Sequence, residues 1–199
     1  SLHHTLIRGC ETGVVIEGVE ASALLEYCVI EQNSLGMDAS FSGWEQDIQV
    51  RHSAVRQNED GIVATGSARL DLWSCDIADN SGVGLELDGG VVQHCRIAHN
   101  GVGVRTKGGW DTIQYTEFEA NGVGLEVGSY PTQPSVRYNA FGDHEDYAVV
   151  YVGGQQDGPV DATMCWWGTT ELETVSAMIW DIYDDTSLFP VLVSPLLDE

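Results

Sequence analysis

Side chains that could bind a sugar recur along this chain at intervals of 20 to 23 residues, beginning at Arg51. An arginine guanidinium can clamp the carboxylate of an acidic sugar or act as a base, and a tryptophan offers a flat face to a pyranose ring. The candidate binding residues are Gln49, Arg51, Asp71, Trp73, Gln93, Gln114 and Arg137, with Trp44, Trp110 and Tyr130 in nearby loops. An ordinary solvated face with scattered aromatic residues is the simpler interpretation of the same pattern.

Carboxylates near the end of the chain are candidates for a calcium site. Asp181, Asp184 and Asp185 follow a predicted helix closely, and Ca²⁺ prefers oxygen ligands. They lack the Asp-x-Asp-x-Asp-Gly spacing of a dedicated calcium loop, so solvated turn residues are the alternative. No Ser/His/Asp or Cys/His constellation and no phosphate-binding loop stands out, so the sequence predicts no catalytic residue.

A sequence repeat supplies the elements that must position these side chains. A small residue, an aliphatic residue two places later and Asn three places after that recur at intervals of 20 to 26 residues, as in Cys75, Ile77 and Asn80. Other columns of the repeat also alternate with a spacing of two, which is typical of strands. Most connections lack a two-residue reversing turn, so hairpins are excluded and a solenoid of parallel strands is predicted.

Two columns of the repeat predict stacks of like side chains. A carboxamide both donates and accepts hydrogen bonds, so a column of asparagines can satisfy itself along the solenoid axis. This ladder consists of Asn33, Asn58, Asn80, Asn100 and Asn121. The second column, interrupted by Ser74, consists of His4, Tyr27, His52, His94, Tyr115 and Tyr138. Ring stacking is favoured there over metal binding, because His52 and His94 stand two coils apart.

The small-x-Ile-x-x-Asn-x-x-Gly-aliphatic-x-aliphatic repeat resembles the right-handed parallel β-helix of the pectate-lyase-like superfamily. The resemblance covers roughly residues 1–168 and implies an all-β, single-stranded helix of about eight coils. Residues 169–199 are similar to the closing segment of secreted bacterial β-helix proteins, which implies a short capping helix, an extended tail and an extracellular or cell-surface location. Thr170 and Glu173 have the spacing of a capping box for that helix.

The catalytic motifs of this superfamily are missing from the chain. It has neither the paired aspartates and Gly-His-Gly of polygalacturonases nor the Asp-Pro-His-Glu of mannuronan epimerases, since Asp143-His-Glu-Asp146 lacks the proline. Catalysis is less favoured as a result. It is not excluded, because lyases of this fold need little beyond a carboxylate cluster and one Arg or Lys.

Composition narrows the possible partners. The chain has 31 Asp and Glu against 8 Lys and Arg, for a formal net charge of −23. Nucleic-acid binding needs clustered positive charge and is not expected. No apolar run is long enough to span a membrane. Cys75 and Cys95 are expected to remain free thiols in the core, with a disulfide between adjacent coils as the alternative.

Three functions remain open at this point. The preferred one is a secreted or cell-surface module whose acidic, aromatic-dotted face binds a polysaccharide, a cell-surface glycan or another surface without turnover. The second is a polysaccharide lyase or glycoside hydrolase acting around Arg51, Asp71 and Arg137. The third is a stalk or filament segment that self-associates through the ends of the β-helix. Ca²⁺ is the one cofactor considered, and no other is predicted.

Overall fold

The strands of this protein are short and follow one another in a repeating trio. The computed structural model describes residues 1–17, 22–107, 111–128, 134–153 and 158–197, without the side chains of residues 41–46 and 67. In chain order the elements are β1 (Leu2–His3), β2 (Leu6–Arg8), β3 (Thr12–Val15), β4 (Ala23–Glu26), β5 (Val29–Glu31), β6 (Leu35–Asp38), β7 (Phe41–Arg51), β8 (Ala54–Arg56), β9 (Asp60–Ala64), β10 (Gly66–Trp73), β11 (Asp76–Ala78), β12 (Val83–Leu87), β13 (Gly90–Gln93), β14 (Arg96–Ala98), β15 (Val102–Thr106), β16 (Asp111–Gln114), β17 (Glu117–Glu119), β18 (Val123–Val127), β19 (Ser135–Arg137), β20 (Ala140–Phe141), β21 (Tyr147–Tyr151), β22 (Val160–Asp161), α1 (Leu172–Ser176), β23 (Ile179–Trp180) and β24 (Val191–Leu192).

Every third strand joins the same parallel sheet, which confirms the predicted solenoid. Sheet 1 runs β1-β4-β7-β10-β13-β16-β19-β22-β24, sheet 2 runs β2-β5-β8-β11-β14-β17-β20, and sheet 3 runs β3-β6-β9-β12-β15-β18-β21-β23. In the described part of the chain, seven coils contribute a strand to all three sheets, slightly fewer than the eight expected. The eighth is partial, with β22 in sheet 1, β23 in sheet 3 and an isolated bridge at Trp166.

The core lies inside the coils and is built from the columns of the repeat. Ile30, Val55, Ile77 and Ile97 pair in register along sheet 2 and are fully buried. Towards the C-terminus this column becomes aromatic, and the rings of Phe118, Phe141 and Trp167 stack with centroids 4.8 and 4.6 Å apart. Like residues therefore pack over like, and each coil shields the apolar side chains of the next from water.

The asparagines form one continuous hydrogen-bonded column at the corner after sheet 2. The backbone N–H and the side-chain Nδ2 of each of the first four both donate to the Oδ1 of the next asparagine, over 2.9 to 3.1 Å. Cys10 donates its N–H to Asn33 at one end, and Asn121 donates its N–H to His144 Nδ1 at the other. Glycine leaves room beside the column: a Cβ on Gly84 would lie 2.9 Å from Asn100 Cγ.

A second column of side chains receives backbone N–H groups at the corner after sheet 1. Cys28 donates its N–H to Ser53 Oγ, and Cys75 donates its N–H to Cys95 Sγ over 3.5 Å. All five cysteines of the chain are free, and Cys75 and Cys95 are buried in this column. Here the thiols act as small, weak acceptors inside the fold.

The C-terminal segment differs in detail from its predicted form. The helix begins at Leu172, after the N-cap Glu171, and no side chain caps it, so the capping box at Thr170 and Glu173 is wrong. The helix ends at Ser176, and Ile179 already belongs to β23, which pairs with β21. Since β24 pairs with β22, the tail adds strands to two of the solenoid's own sheets. No helix in the described ranges is long and apolar enough to cross a membrane.

A buried carboxylate interrupts one of the apolar inward columns of sheet 1. Asp111 is 2% exposed and lies in register with Gly90 and Leu70, in an inward column of sheet 1. Neither of its carboxylate oxygens has a hydrogen-bond partner of good geometry among the described residues, although the backbone N–H of Gly89 is near enough to lower its pKa slightly. Burial, with a further contribution from the negative charge of Asp88, raises the pKa of Asp111 to about 7.

The ladder predicts a large cost for losing one asparagine from its middle. Asn80→Ala leaves the N–H and Nδ2 of Asn58 without their acceptor, so we expect the free energy of unfolding to fall by roughly 3 to 5 kcal/mol. Urea denaturation followed by circular dichroism measures the change, with the exposed Glu59→Ala as control. A loss no larger than the control's contradicts a stabilising role for the ladder.

We predict that the contribution of Asp111 to the free energy of unfolding falls as the pH rises. Between its ordinary pKa near 3.8 and its folded pKa of about 7, the folded state keeps a proton that the unfolded state has lost, so unfolding becomes easier with each pH unit. We expect Asp111→Asn to be more stable than the parent at pH 8, by up to about 4 kcal/mol, with the difference vanishing towards pH 4. Urea denaturation between pH 4 and pH 8 measures this difference, with Glu59→Gln as the control variant. A pH-independent difference contradicts the assignment.

Candidate functional site

The outer face of sheet 1 carries two columns of side chains that the strand register fixes. Strand residues alternate between the two faces of a sheet, so the outward residues of each strand align with those of its neighbours. The first outward column is Leu24, Gln49, Asp71, Val91, Thr112, Ser135 and Asp161. The second is His3, Glu26, Arg51, Trp73, Gln93, Gln114 and Arg137.

A third column, of rings, lines the corner that follows sheet 1. Each of its members has a positive φ between 48° and 60°, which turns the chain sharply toward sheet 2. The rings of His4, Tyr27 and His52 stack with centroids 5.0 and 5.1 Å apart, and those of His94, Tyr115 and Tyr138 with centroids 5.2 and 5.6 Å apart. The predicted stacking is therefore confirmed, in two blocks of three.

Ser74 separates these two blocks, and the neighbouring residue carries the ring instead. Trp73 lies in the second outward column, one residue before the corner, so its indole stands on the face of the sheet. It meets His94 edge to face, with centroids 4.4 Å apart and an interplanar angle of 60°. Trp73 remains 42% exposed, which leaves much of the indole open to solvent.

A cavity of about 430 Å³ opens beside this break, and we call it the ring-gap groove. Its lining residues are Glu26, Arg51, His52, Asp71, Leu72, Trp73, Val91 and Gln93. They come from four neighbouring strands, β4, β7, β10 and β13, and from the corner after β7. The groove thus places one exposed aromatic ring beside several charged and amide groups, and convergent polar groups of this kind orient a bound ligand.

The charged groups of the groove differ in how firmly other side chains hold them. Arg51 donates from Nη2 to Gln49 Oε1 over 2.8 Å, which holds its guanidinium on the face. Asp71 Oδ1 lies 3.8 Å from Arg69 Nε and has no hydrogen-bond partner among the described residues. Burial raises the pKa of Asp71; the charge of Asp47 also raises it, while those of Arg69 and Arg51 lower it.

The structure brings together part of the candidate site predicted from sequence. Arg51, Asp71, Trp73 and Gln93 line the groove. Gln49 and Gln114 stand next to the groove. Gln49 accepts a hydrogen bond from the groove residue Arg51, and Gln114 accepts one from Nε2 of the groove residue Gln93.

The other predicted binding residues lie elsewhere. Arg137 stands three strands from Trp73 in register, 3.8 Å from Asp161 Oδ2 and 5.4 Å from the centroid of the Tyr138 ring. Trp110 and Tyr130 lie outside the described residues, as does the side chain of Trp44. Trp44 also belongs to β7, so its placement in a loop is wrong.

Two groove residues were missing from the predicted binding set. Glu26 comes directly after the inward Leu25, in the same repeat position as Arg51 after Val50. This position in the repeat is the sequence signal that places Glu26 on the outer face. The sequence pattern places His52 in the ring column alone. Because it ends the first block of rings, it also forms one wall of the groove.

The three terminal aspartates accept hydrogen bonds from the protein itself. Asp181 receives the N–H groups of Tyr183 and Val191, Asp184 receives that of Asp181, and Asp185 receives the N–H and Oγ of Ser187. Among the described residues, no group of three or more His, Cys, Asp or Glu side chains is arranged to hold a metal ion. These carboxylates stabilise the turns after α1.

Comparison with known proteins adds one finding. Residues 2–160 match the family model of the right-handed β-helix region. No curated protein and no solved structure gives a significant match to the chain.

We predict that placing a ring at Ser74, where the ring column is interrupted, stabilises the protein. Ser74 has φ 52°, close to the φ of Tyr27 and Tyr115, so Ser74→Tyr adds a ring without new backbone strain. We expect the added ring to stack on His52 and to raise the free energy of unfolding by up to about 1 kcal/mol. Urea denaturation measures this against Ser81→Tyr, an exposed site outside the column. If Ser74→Tyr destabilises the protein and Ser81→Tyr does not, the proposed gap between the two blocks of rings is contradicted.

Proposed function

The chain belongs to the family of right-handed β-helix regions, and on that premise we propose that it is a module that binds a polysaccharide in the ring-gap groove without turning it over. The proposed ligand lies on the outer face of sheet 1 and contacts Trp73 through one of its sugar rings. Fold alone does not specify function, so the proposal depends on the groove.

The observation that carries the proposal is the position of Trp73. The indole stands on an outward face, 42% exposed, within a cavity that also presents Arg51, Asp71 and Gln93. Sugars are bound by this combination: the apolar face of the pyranose stacks on an aromatic ring while amide and charged groups hydrogen-bond its hydroxyls. The regular ring column has a structural role at the corner, but Trp73 lies outside it.

Catalysis is the second candidate, and the carboxyl of Asp71 favours it. A carboxyl whose pKa is raised by burial in a cleft is typical of general acids. Against turnover, the guanidinium of Arg51 is held by Gln49, and Arg137 is three strands away from Trp73. A lyase or hydrolase acting around Arg51, Asp71 and Arg137 would therefore lack one of its three proposed groups at the groove.

The remaining parts of the proposal concern context. We place the protein outside the cell or on its surface and relate it to the pectate-lyase-like superfamily, with the segment after residue 168 as a cap. Support for the cap comes from Trp167, which is buried against Phe141, and from β23 and β24, which extend the sheets.

Trp73 provides the direct test of glycan binding. We expect the protein to bind at least one polysaccharide on a glycan array, and Trp73→Ala to weaken binding of that glycan roughly tenfold or more, because the stacking surface is lost. Isothermal titration calorimetry measures the affinity. Trp180→Ala is the matched control, since Trp180 is a partly exposed tryptophan on sheet 3.

Either of two results contradicts the proposal. Binding that survives Trp73→Ala but is lost in Trp180→Ala moves the ligand to another face. Release of sugar fragments by the parent protein, abolished in Asp71→Asn, replaces the binding module by the enzyme.

A further inference from the structure

The charge of the whole molecule bears on which sugars it can bind. With 31 acidic residues against 8 basic ones, the chain has a net charge of −23 and repels a polyanion before any contact forms. At physiological ionic strength this repulsion is screened beyond about 8 Å, so the charges inside the groove decide the selectivity.

The cations on this face already have neighbours that occupy or neutralise them. Arg51 bonds Gln49, Arg69 lies 3.8 Å from Asp71, and Arg137 lies 3.8 Å from Asp161. The groove itself is lined by two carboxylates, Glu26 and Asp71, and by one guanidinium. A ligand carboxylate entering it would meet two carboxylates, of which Asp71 lies 3.8 Å from Arg69, and one guanidinium that already donates to Gln49.

Asp71 offers the ligand a carboxylate that the protein pairs only loosely. Its Oδ1 is shielded from solvent and faces Arg69 Nε at 3.8 Å, beyond hydrogen-bond distance, while the side chain as a whole is 41% exposed and lines the groove. The exposed part of the carboxylate can therefore accept a hydrogen bond from a ligand in the groove. A hydroxyl can donate there, and an ammonium group donates a stronger, charge-assisted hydrogen bond.

We infer that the ring-gap groove selects amino-bearing sugars, with Asp71 accepting a hydrogen bond from the ligand's ammonium group and Trp73 stacking on its ring. This inference rests on the proposed glycan binding and narrows it to one ligand class. Uncharged sugars rank second, because their hydroxyls can donate to the same carboxylate. Uronic-acid polymers rank last, because their carboxylates face Glu26 and Asp71.

Three oligosaccharides of equal length test this ranking by calorimetry at about 0.15 M salt, where long-range attraction is screened. We expect a glucosamine hexamer to bind about tenfold more tightly than the N-acetylglucosamine hexamer, which has the same backbone without the charge. A galacturonic acid hexamer should bind most weakly. Asp71→Asn should reduce the preference for the amine to about twofold.

Controls separate a specific site from general attraction between opposite charges. Glu59→Gln removes one negative charge on the other side of the coil and should keep the full preference for glucosamine. If Asp71→Asn does not fold, Glu26→Gln removes the other carboxylate of the groove and should lower the same preference.

The outcomes distinguish this inference from the proposal on which it rests. If no glycan binds, both fail. If the N-acetylglucosamine or galacturonic acid hexamer binds most tightly, or if Asp71→Asn and Glu59→Gln reduce the preference equally, the inference is overturned while glycan binding stands.

Discussion

The hydrogen bonds between successive asparagines fix the register of the second to sixth coils. Each of the first four ladder residues donates both its backbone N–H and its side-chain amide to the asparagine of the next coil, within a fully or almost fully buried column. A slip of one residue would break these bonds and turn each apolar column outward. Because one register holds for all three sheets, the ladder also determines which side chains stand on the outer face of sheet 1.

The groove is a local departure from that regularity. Elsewhere the ring stands at the corner and stacks on the ring of the adjacent coil, but at the fourth coil the order is Trp73 followed by Ser74. The indole is thereby moved from a structural column onto an open face, where it joins Arg51 and Asp71. A solenoid core constrains inward residues far more than outward ones, so such a change costs the fold little and creates a surface with its own shape and charge.

Much of the architecture could be predicted from sequence because its signals are local and repeated. The spacing of Cys75, Ile77 and Asn80 recurs, and so predicts the strands, the ladder and the stacked corner together. What could not be predicted depends on contacts between coils. Trp44 lies in a stretch whose composition indicates a loop, yet β7 extends through it as far as Phe41, which pairs with Gly66 after a shift in register. Asp111 is buried beside Gly90 of the adjacent coil, which carries no side chain. The pairing of these two residues is visible only when adjacent coils are aligned, not within one repeat.

A crystal structure of the protein with a bound glucosamine oligosaccharide tests the central claim most directly. The account predicts one sugar ring stacked on the indole of Trp73, with its amino group within hydrogen-bond distance of the Asp71 carboxylate. An oligosaccharide bound on another sheet or at an end of the solenoid, with Trp73 and Asp71 unchanged and uncontacted, would contradict it.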